Sequence, residues 1–237
     1  MKRQRGAALL LALWVIGLLS VLLGSLAVAV QLQQRRAHWQ GQQAQAALAA
    51  QAGLELAVTN LLSRDTQRWR PDGLLHVEHF AGSILRIRVS SERGKLDLNA
   101  APVASLERLL RASGASSGRA KTITHALRTR RNKVPLRMLE EFRQLPGMDY
   151  ALYQRALPSI TVWSGTAEPD PSLVVPQLAH ALGLRPGNGQ VADAGQILNV
   201  FSEATLAGGF AAHVQATFVL LPGYAGGKPY RVLRWQE

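Results

Sequence analysis

The chain opens with Met1-Lys2-Arg3-Gln4-Arg5-Gly6 and continues with AALLLALWVIGLLSVLLGSLAVAV, residues 7–30; the reading of this stretch decides the fold. Three cations stand in the first six positions, and the next twenty-four carry no charge. As a helix that run rises about 36 Å, enough to cross a hydrocarbon layer of about 30 Å with some tilt. Lys2, Arg3, Arg5 and the terminal amine outweigh Arg35 and Arg36 behind the run, which predicts a cytoplasmic N-terminus and a body beyond the membrane. A cleaved signal peptide is the competing reading, with Ala27-Val28-Ala29 as its small-residue site. Two features oppose it. The apolar core exceeds the 7 to 15 residues or so of a signal. No break follows it either: residues 31–60 are polar, rich in Ala and Gln, and free of Pro, which favours helix. Leu48, Leu54, Val58, Leu61 and Leu62 fall roughly on one side of it. One helix from Ala7 to about Ser63 would run about 85 Å, half in lipid and half outside.

A basic leader ending in Gly, then a long apolar helix continuing as an amphipathic stem, resembles a type IV pilin or a type II secretion pseudopilin. The resemblance implies cleavage between Gly6 and Ala7 by a prepilin peptidase, with N-methylation of Ala7. Most pilins carry Glu as the fifth residue after the cut; here that position is Leu11. A carboxylate in lipid is costly and is kept for a partner, in pilins commonly the free amine of the next subunit. The family exception is minor pseudopilin K, thought to sit at the tip, where no subunit docks above.

The net charge of +12 falls to about +9 beyond the leader, compatible with nucleic acid, anionic lipid or a basic proteome. The lack of Cys excludes a disulfide framework, a zinc-cysteine site and a thiol nucleophile. Pro71-Asp72-Gly73 punctuates a turn region over residues 64–73. Leu75, Val77 and Ala81, then Leu85, Ile87 and Val89, alternate with polar neighbours about Gly82-Ser83, predicting a hairpin. Pro102 opens a helix holding Leu106, Leu109 and Leu110 and stopped by Gly114. A second spans residues 118–131 with Ile123 and Leu127 inward. A third follows Pro135 with Leu136, Leu139 and Phe142, a fourth spans 150–157, and a fifth 173–182. Strands return at 197–205, 213–220 and 230–235. Because a lone hairpin is marginal in water, early and late strands should share one antiparallel sheet against the stem, with the helical block inserted between them.

Gly94-Lys95-Leu96-Asp97-Leu98-Asn99-Ala100-Ala101, Leu145-Pro146-Gly147-Met148, Ile160-Thr161-Val162-Trp163 and residues 230–237, in that order, resemble the minor pseudopilin K family. The expected fold class is α+β and type IV pilin-like. It has a long transmembrane and stem helix packed on a small antiparallel sheet, and an inserted all-α, sterile-alpha-motif-like domain. The segments are a leader (1–6), a transmembrane helix (7–30), stem and first strands (31–95), the inserted domain (96–189) and closing strands (190–237). The resemblance implies a non-enzymatic pseudopilus tip subunit directing assembly and protein export across the outer membrane. It would sit in a bacterial inner membrane as a single pass, with a periplasmic body. Its partners would be other minor pseudopilins, the prepilin peptidase and secreted substrates, with no nucleic acid. No cofactor is expected. Some family members bind calcium, but Asp170 and Asp193 are isolated in sequence and hard cations want about six or more oxygens, so no metal site is assigned. The insertion is short for the family, and its second half, residues 164–189, is rich in Pro and Gly.

No catalytic constellation emerges. Gly114-Ala115-Ser116-Ser117-Gly118 matches a nucleophile elbow, but that needs a strand before the Ser and a helix precedes it here. His76 and His79 fall on opposite faces of a strand. The glycines of 223–228 lack phosphate-loop spacing, and Pro229 replaces the Ser/Thr. The alternative function is membrane-tethered DNA binding for uptake. Leu145-Pro146-Gly147 and its flanking helices also resemble helix-hairpin-helix modules, and residues 102–160 carry a net charge of about +7. Asp149 opposes that reading, because it places an acid where a phosphate hairpin wants free amides.

Overall fold

A computed structural model describes residues 4–64, 68–185, 193–221 and 227–237. Helix α1 runs from Gln4–Leu62 without interruption, 59 residues of mostly Ala, Leu and Gln. From Ala46 onward one face is covered: Ala46, Ala49, Ala50, Leu54, Ala57 and Val58 are buried at spacings of three and four. Leu48, expected on this face, is 66% exposed. Two helical steps of about 100° put it roughly opposite Ala46 and Ala50. The buried stripe is mostly alanine, which brings the helix backbone close to what it packs on.

That surface is a five-stranded antiparallel sheet ordered β1-β2-β5-β6-β7. Its strands are β1 (Asp72–Phe80), β2 (Ser83–Ser91), β5 (Ile197–Leu206), β6 (Ala211–Leu220) and β7 (Tyr230–Gln236). Early and late strands therefore share one sheet, with β2 paired to β5 along its full length. Leu85, Ile87, Val89, Leu198, Val200, Ala204, Val214, Ala216 and Phe218 join the α1 stripe in one core. Tyr230 closes its end with an edge-on ring contact to Phe218 at 5.5 Å.

The first strand departs from expectation. Leu75 and Val77 are 46% and 51% exposed, because the register pairs them with Arg88 and Arg86 on the face away from α1. His76 and Glu78 take the helix side, where Trp69 stacks on His76 at 4.0 Å. Ala81 is not in the strand at all. It forms the turn with Gly82, at φ +49° and +77°, and Ser83 already belongs to β2.

Between β2 and β5 lies the helical block with its own core. Strand β3 (Leu96–Asp97) pairs in parallel with β4 (Ile160–Thr161), a neck that two-residue segments did not announce in the sequence. The helices are α2 (Val103–Ala112), α3 (Ser117–Lys133), α4 (Glu140–Arg143), α5 (Tyr150–Ala156) and α6 (Pro176–Leu182). The third expected helix is thus a single turn, although Leu136, Leu139 and Phe142 are all buried. Asn99 explains the difference: its amide accepts from Leu136 N–H at 2.8 Å and donates to Leu136 C=O at 2.9 Å, taking both groups from any helix. The fifth helix begins at Pro176 rather than 173, since Pro fits the first helical position and Val175 stays extended. After β4, α6 is the one helix among the described residues; 186–192 lie outside them.

Candidate functional site

The feature that most demands a function is the free half of α1. Leu13, Trp14, Ile16, Leu19, Leu22, Leu23, Leu26 and Val28 are exposed on every side of the helix. Among the described residues this is the one helix long and apolar enough to cross a membrane. Apolar all round and without a protein neighbour, it needs lipid or other apolar rods around it. Gly6 and Ala7 lie in its first turns, but their side chains and that of Leu11 are outside the described residues, as are residues 1–3. Ser20 and Ser25 turn their hydroxyls back on the helix, donating to Ile16 C=O and Leu22 C=O at 2.8 Å.

Several contacts fix the rod to the body. Gly53 faces β5, where a Cβ would overlap Ser202 Oγ and sit 3.1 Å from Ser202 Cβ and 3.3 Å from Ile87 Cδ1. Glu55 accepts from the Tyr230 hydroxyl at 2.6 Å and from Lys228 Nζ at 3.1 Å. Partial burial pushes the Glu55 carboxyl up, but the Tyr230 and Lys228 contacts outweigh it and hold it below its ordinary value. Burial and the same hydrogen bond push Tyr230 up. Nearer the free apolar half, Trp39 meets the Phe210 ring edge-on at 6.4 Å, and Gln43 donates to Ala211 C=O at 3.3 Å. A glycine inside an alanine-rich helix was the sequence signal for the Gly53 contact; Glu55, Tyr230 and Lys228 gave none, being far apart in the chain.

The helical block sits at the other end of the sheet. Ser91 and Leu198, register partners at the top of β2 and β5, bracket it. Gln43 and Trp39 of α1 meet the bottom of the sheet, so the block lies at the end away from the free apolar half. Asp97 clasps its neck. Its fully buried carboxylate accepts Asn99 N–H at 2.7 Å and Ala100 N–H at 3.2 Å on Oδ1, and Gly165 N–H at 2.8 Å and Ser164 Oγ at 3.2 Å on Oδ2. Arg234 of β7 reaches Glu140 at 2.9 Å and ties block to sheet. Buried Glu92 pairs with Lys95 at 2.6 Å beside Gly94, where a Cβ would stand 2.7 Å from the Leu173 carbonyl carbon. A cleft of about 400 Å³ opens beside this junction, lined by Glu92, Arg93, Trp163, Ser164 and Asp193.

The other sequence candidates resolve into structural roles. Ser116 caps α3, accepting from Arg119 N–H at 3.3 Å, with a helix rather than a strand before it. His76 and His79 point to opposite faces. Asp193 accepts Gly195 N–H and pairs with Arg93 at 2.7 Å; Asp170 accepts from Ser172. No group of three or more His, Asp or Glu with metal-holding geometry occurs among the described residues. Of the glycine-rich connection, residues 222–226 lie outside the described residues and Lys228 pairs with Glu55. In the hairpin at Leu145-Pro146-Gly147, Asp149 caps α5 through Leu152 N–H at 2.7 Å and pairs with Arg119 at 2.5 Å. Its carboxylate takes the amide that a phosphate would otherwise accept from. The Leu152 N–H first, and then Arg119, hold Asp149 below its ordinary value.

Together these features define a class: a pilin-like α+β fold, with a long N-terminal helix on a small antiparallel sheet and an all-α insertion between strands. No protein-family model matches the chain, and no curated protein matches it in sequence. Among solved structures it is similar to a chain of the GspK-GspI-GspJ complex from the type 2 secretion system of enterotoxigenic Escherichia coli. The TM-score is 0.58 at 16% identity, covering 85% of this chain and 98% of that one. At this identity the likeness is one of fold.

Proposed function

We propose that the chain is a minor pseudopilin at the tip of a type II secretion pseudopilus, directing its assembly and protein export across the outer membrane. The observation that carries this reading is the placement of the insertion at the end of the sheet away from the free apolar helix. A subunit built this way can lay its rod among sister rods, while its bulky head leaves no room for another subunit above. The likeness of fold to a chain of a pseudopilin complex supports it, as does Leu11 where most pilins carry Glu. Its work is mechanical rather than catalytic. The prepilin peptidase cuts between Gly6 and Ala7 and Ala7 is N-methylated. The body lies in the periplasm with the N-terminus cytoplasmic, anchored in the inner membrane. Other minor pseudopilins are the partners of the rod, and secreted substrates meet the head.

Mass spectrometry of the native polypeptide tests the processing step. The mature chain should begin with methylated Ala7, and Gly6→Trp should leave an uncut precursor; a chain beginning near residue 30 would refute the pilin-like reading. The tip role is tested by removing residues 92–197 behind a short turn. Membrane insertion should persist and secretion should fail; unimpaired secretion would refute the cap.

A further inference from the structure

Two hairpin tips lie at the membrane-proximal end of the sheet, and both are built mostly of apolar residues. The first is Phe80-Ala81-Gly82-Ser83-Ile84, the second Leu206-Ala207-Gly208-Gly209-Phe210-Ala211-Ala212. Neither carries a charge. Phe80 and Ile84 are 48% and 40% exposed, and Trp39 of α1, 57% exposed, stands beside the half-buried Phe210. The first turn is unusual in its chemistry. With φ positive at both Ala81 and Gly82 it has the backbone for which Asn-Gly or Asp-Gly is the ordinary choice in water. Alanine at φ +49° gives up about 1 kcal/mol that Asn or Gly would spare. A turn facing water has no reason to prefer a methyl group there.

We infer that these two tips, with Trp39, form an interfacial foot that rests on the lipid surface next to the membrane span. This rests on α1 crossing the bilayer. Trp39 lies nine residues beyond Val30, about 13 Å along the helix. The headgroup layer accounts for about 5–8 Å of that. A tilt of about 20° toward the sheet brings both hairpin tips, which stand off the helix axis on that side, closer to the headgroups. Arg35 and Arg36, exposed between span and foot, and Arg86 just above the first tip suit anionic headgroups. Aromatic rings at the headgroup level with cations beside them are what a membrane interface selects. The continuity of foot with span makes the bilayer the occupant, ahead of a second protein.

Because the chain has no Cys, single cysteines report cleanly. The full chain would be placed in vesicles of phosphatidylcholine with phosphatidylglycerol and labelled with an environment-sensitive fluorophore at A81C, A207C, L19C in the span, or T129C on the exposed face of α3. Ala81→Cys keeps the Cβ already tolerated at that φ. Nitroxide on carbon 5 of the lipid chain should reduce emission about twofold or more at positions 19, 81 and 207, and leave position 129 unchanged, as expected for burial about 5–10 Å into the interface. Quenching at 19 without quenching at 81 and 207 overturns the foot and leaves the span standing. No quenching at 19 overturns the span itself. Shielding of 81 and 207 from aqueous iodide without lipid quenching means that another protein covers them, and also overturns the foot.

Discussion

Gly53 shows what a missing side chain can decide. Alanine is the better helix former by about 1 kcal/mol, yet its Cβ would overlap Ser202 in the tightest part of the rod–sheet contact. Gly53→Ala should therefore destabilise the body by about 1–3 kcal/mol in urea unfolding. In a Ser202→Ala background the penalty should shrink, because the Ser202 hydroxyl is buried without a partner and is the nearest obstacle. The charged residues predict a pH dependence. Glu55, Glu141, Asp149 and Asp193 are all held below their ordinary values of 4.5 for Glu and 3.8 for Asp. For Glu141 the backbone N–H of Arg137 acts first, and for Asp193 that of Gly195. A carboxyl depressed by folding stabilises fully above its unfolded value and loses that contribution as pH falls through the folded one. The unfolding midpoint should be flat from pH 7 to about 5 and fall below that. Glu55→Gln should remove part of the acid slope in thermal scans.

At the scale of elements, the neck is the point of leverage. Four hydrogen bonds converge on the Asp97 carboxylate and hold β3, β4 and the Ser164 turn together. Asp97→Ala leaves those donors buried and unpaired, and should cost about 2–4 kcal/mol. The loss should appear as faster hydrogen exchange across α2 and α5, with the sheet amides still protected, because the two cores are separate clusters. Most elements were legible from periodicity. Strand β2 alternates cleanly, β6 buries Val214, Ala216 and Phe218 at every second position, and α2 and α3 carry leucines and isoleucine at helical spacing between Pro and Gly stops. The failures have specific causes. Residues near 136 obey a helical pattern but are held open by Asn99, thirty-seven positions away. In β1 the apolar set faces outward because its register to β2 places His76 and Glu78 on the helix side. Leu48 is apolar but stands opposite a stripe of alanines that the eye passes over when looking for large side chains.

For the molecule as a whole, the insertion should be separable. Ser91 and Leu198 face each other across β2 and β5, so a short Gly-rich turn can replace residues 92–197 without moving either strand. The excised chain should keep its five-stranded sheet and its near-ultraviolet signal from Tyr230 and Trp69; loss of both would mean that the block, through Arg234 and Glu140, is needed to build the sheet. The sequence by itself determined the rod and the order of parts. An uncharged run long enough for a bilayer, a Pro-free continuation and Pro/Gly-bounded apolar periods are local properties, set by helix propensity and by the cost of charge in lipid. Tertiary structure alone decided that alanines rather than Leu48 line the buried face of the stem, how β1 is registered, that two dipeptides sixty-four residues apart close the neck, and that two uncharged turns stand together at the end of the sheet beside Trp39. Each of these depends on pairing between residues distant in the chain, and no short-range pattern encodes which distant partner will satisfy a given backbone group or fill a given gap.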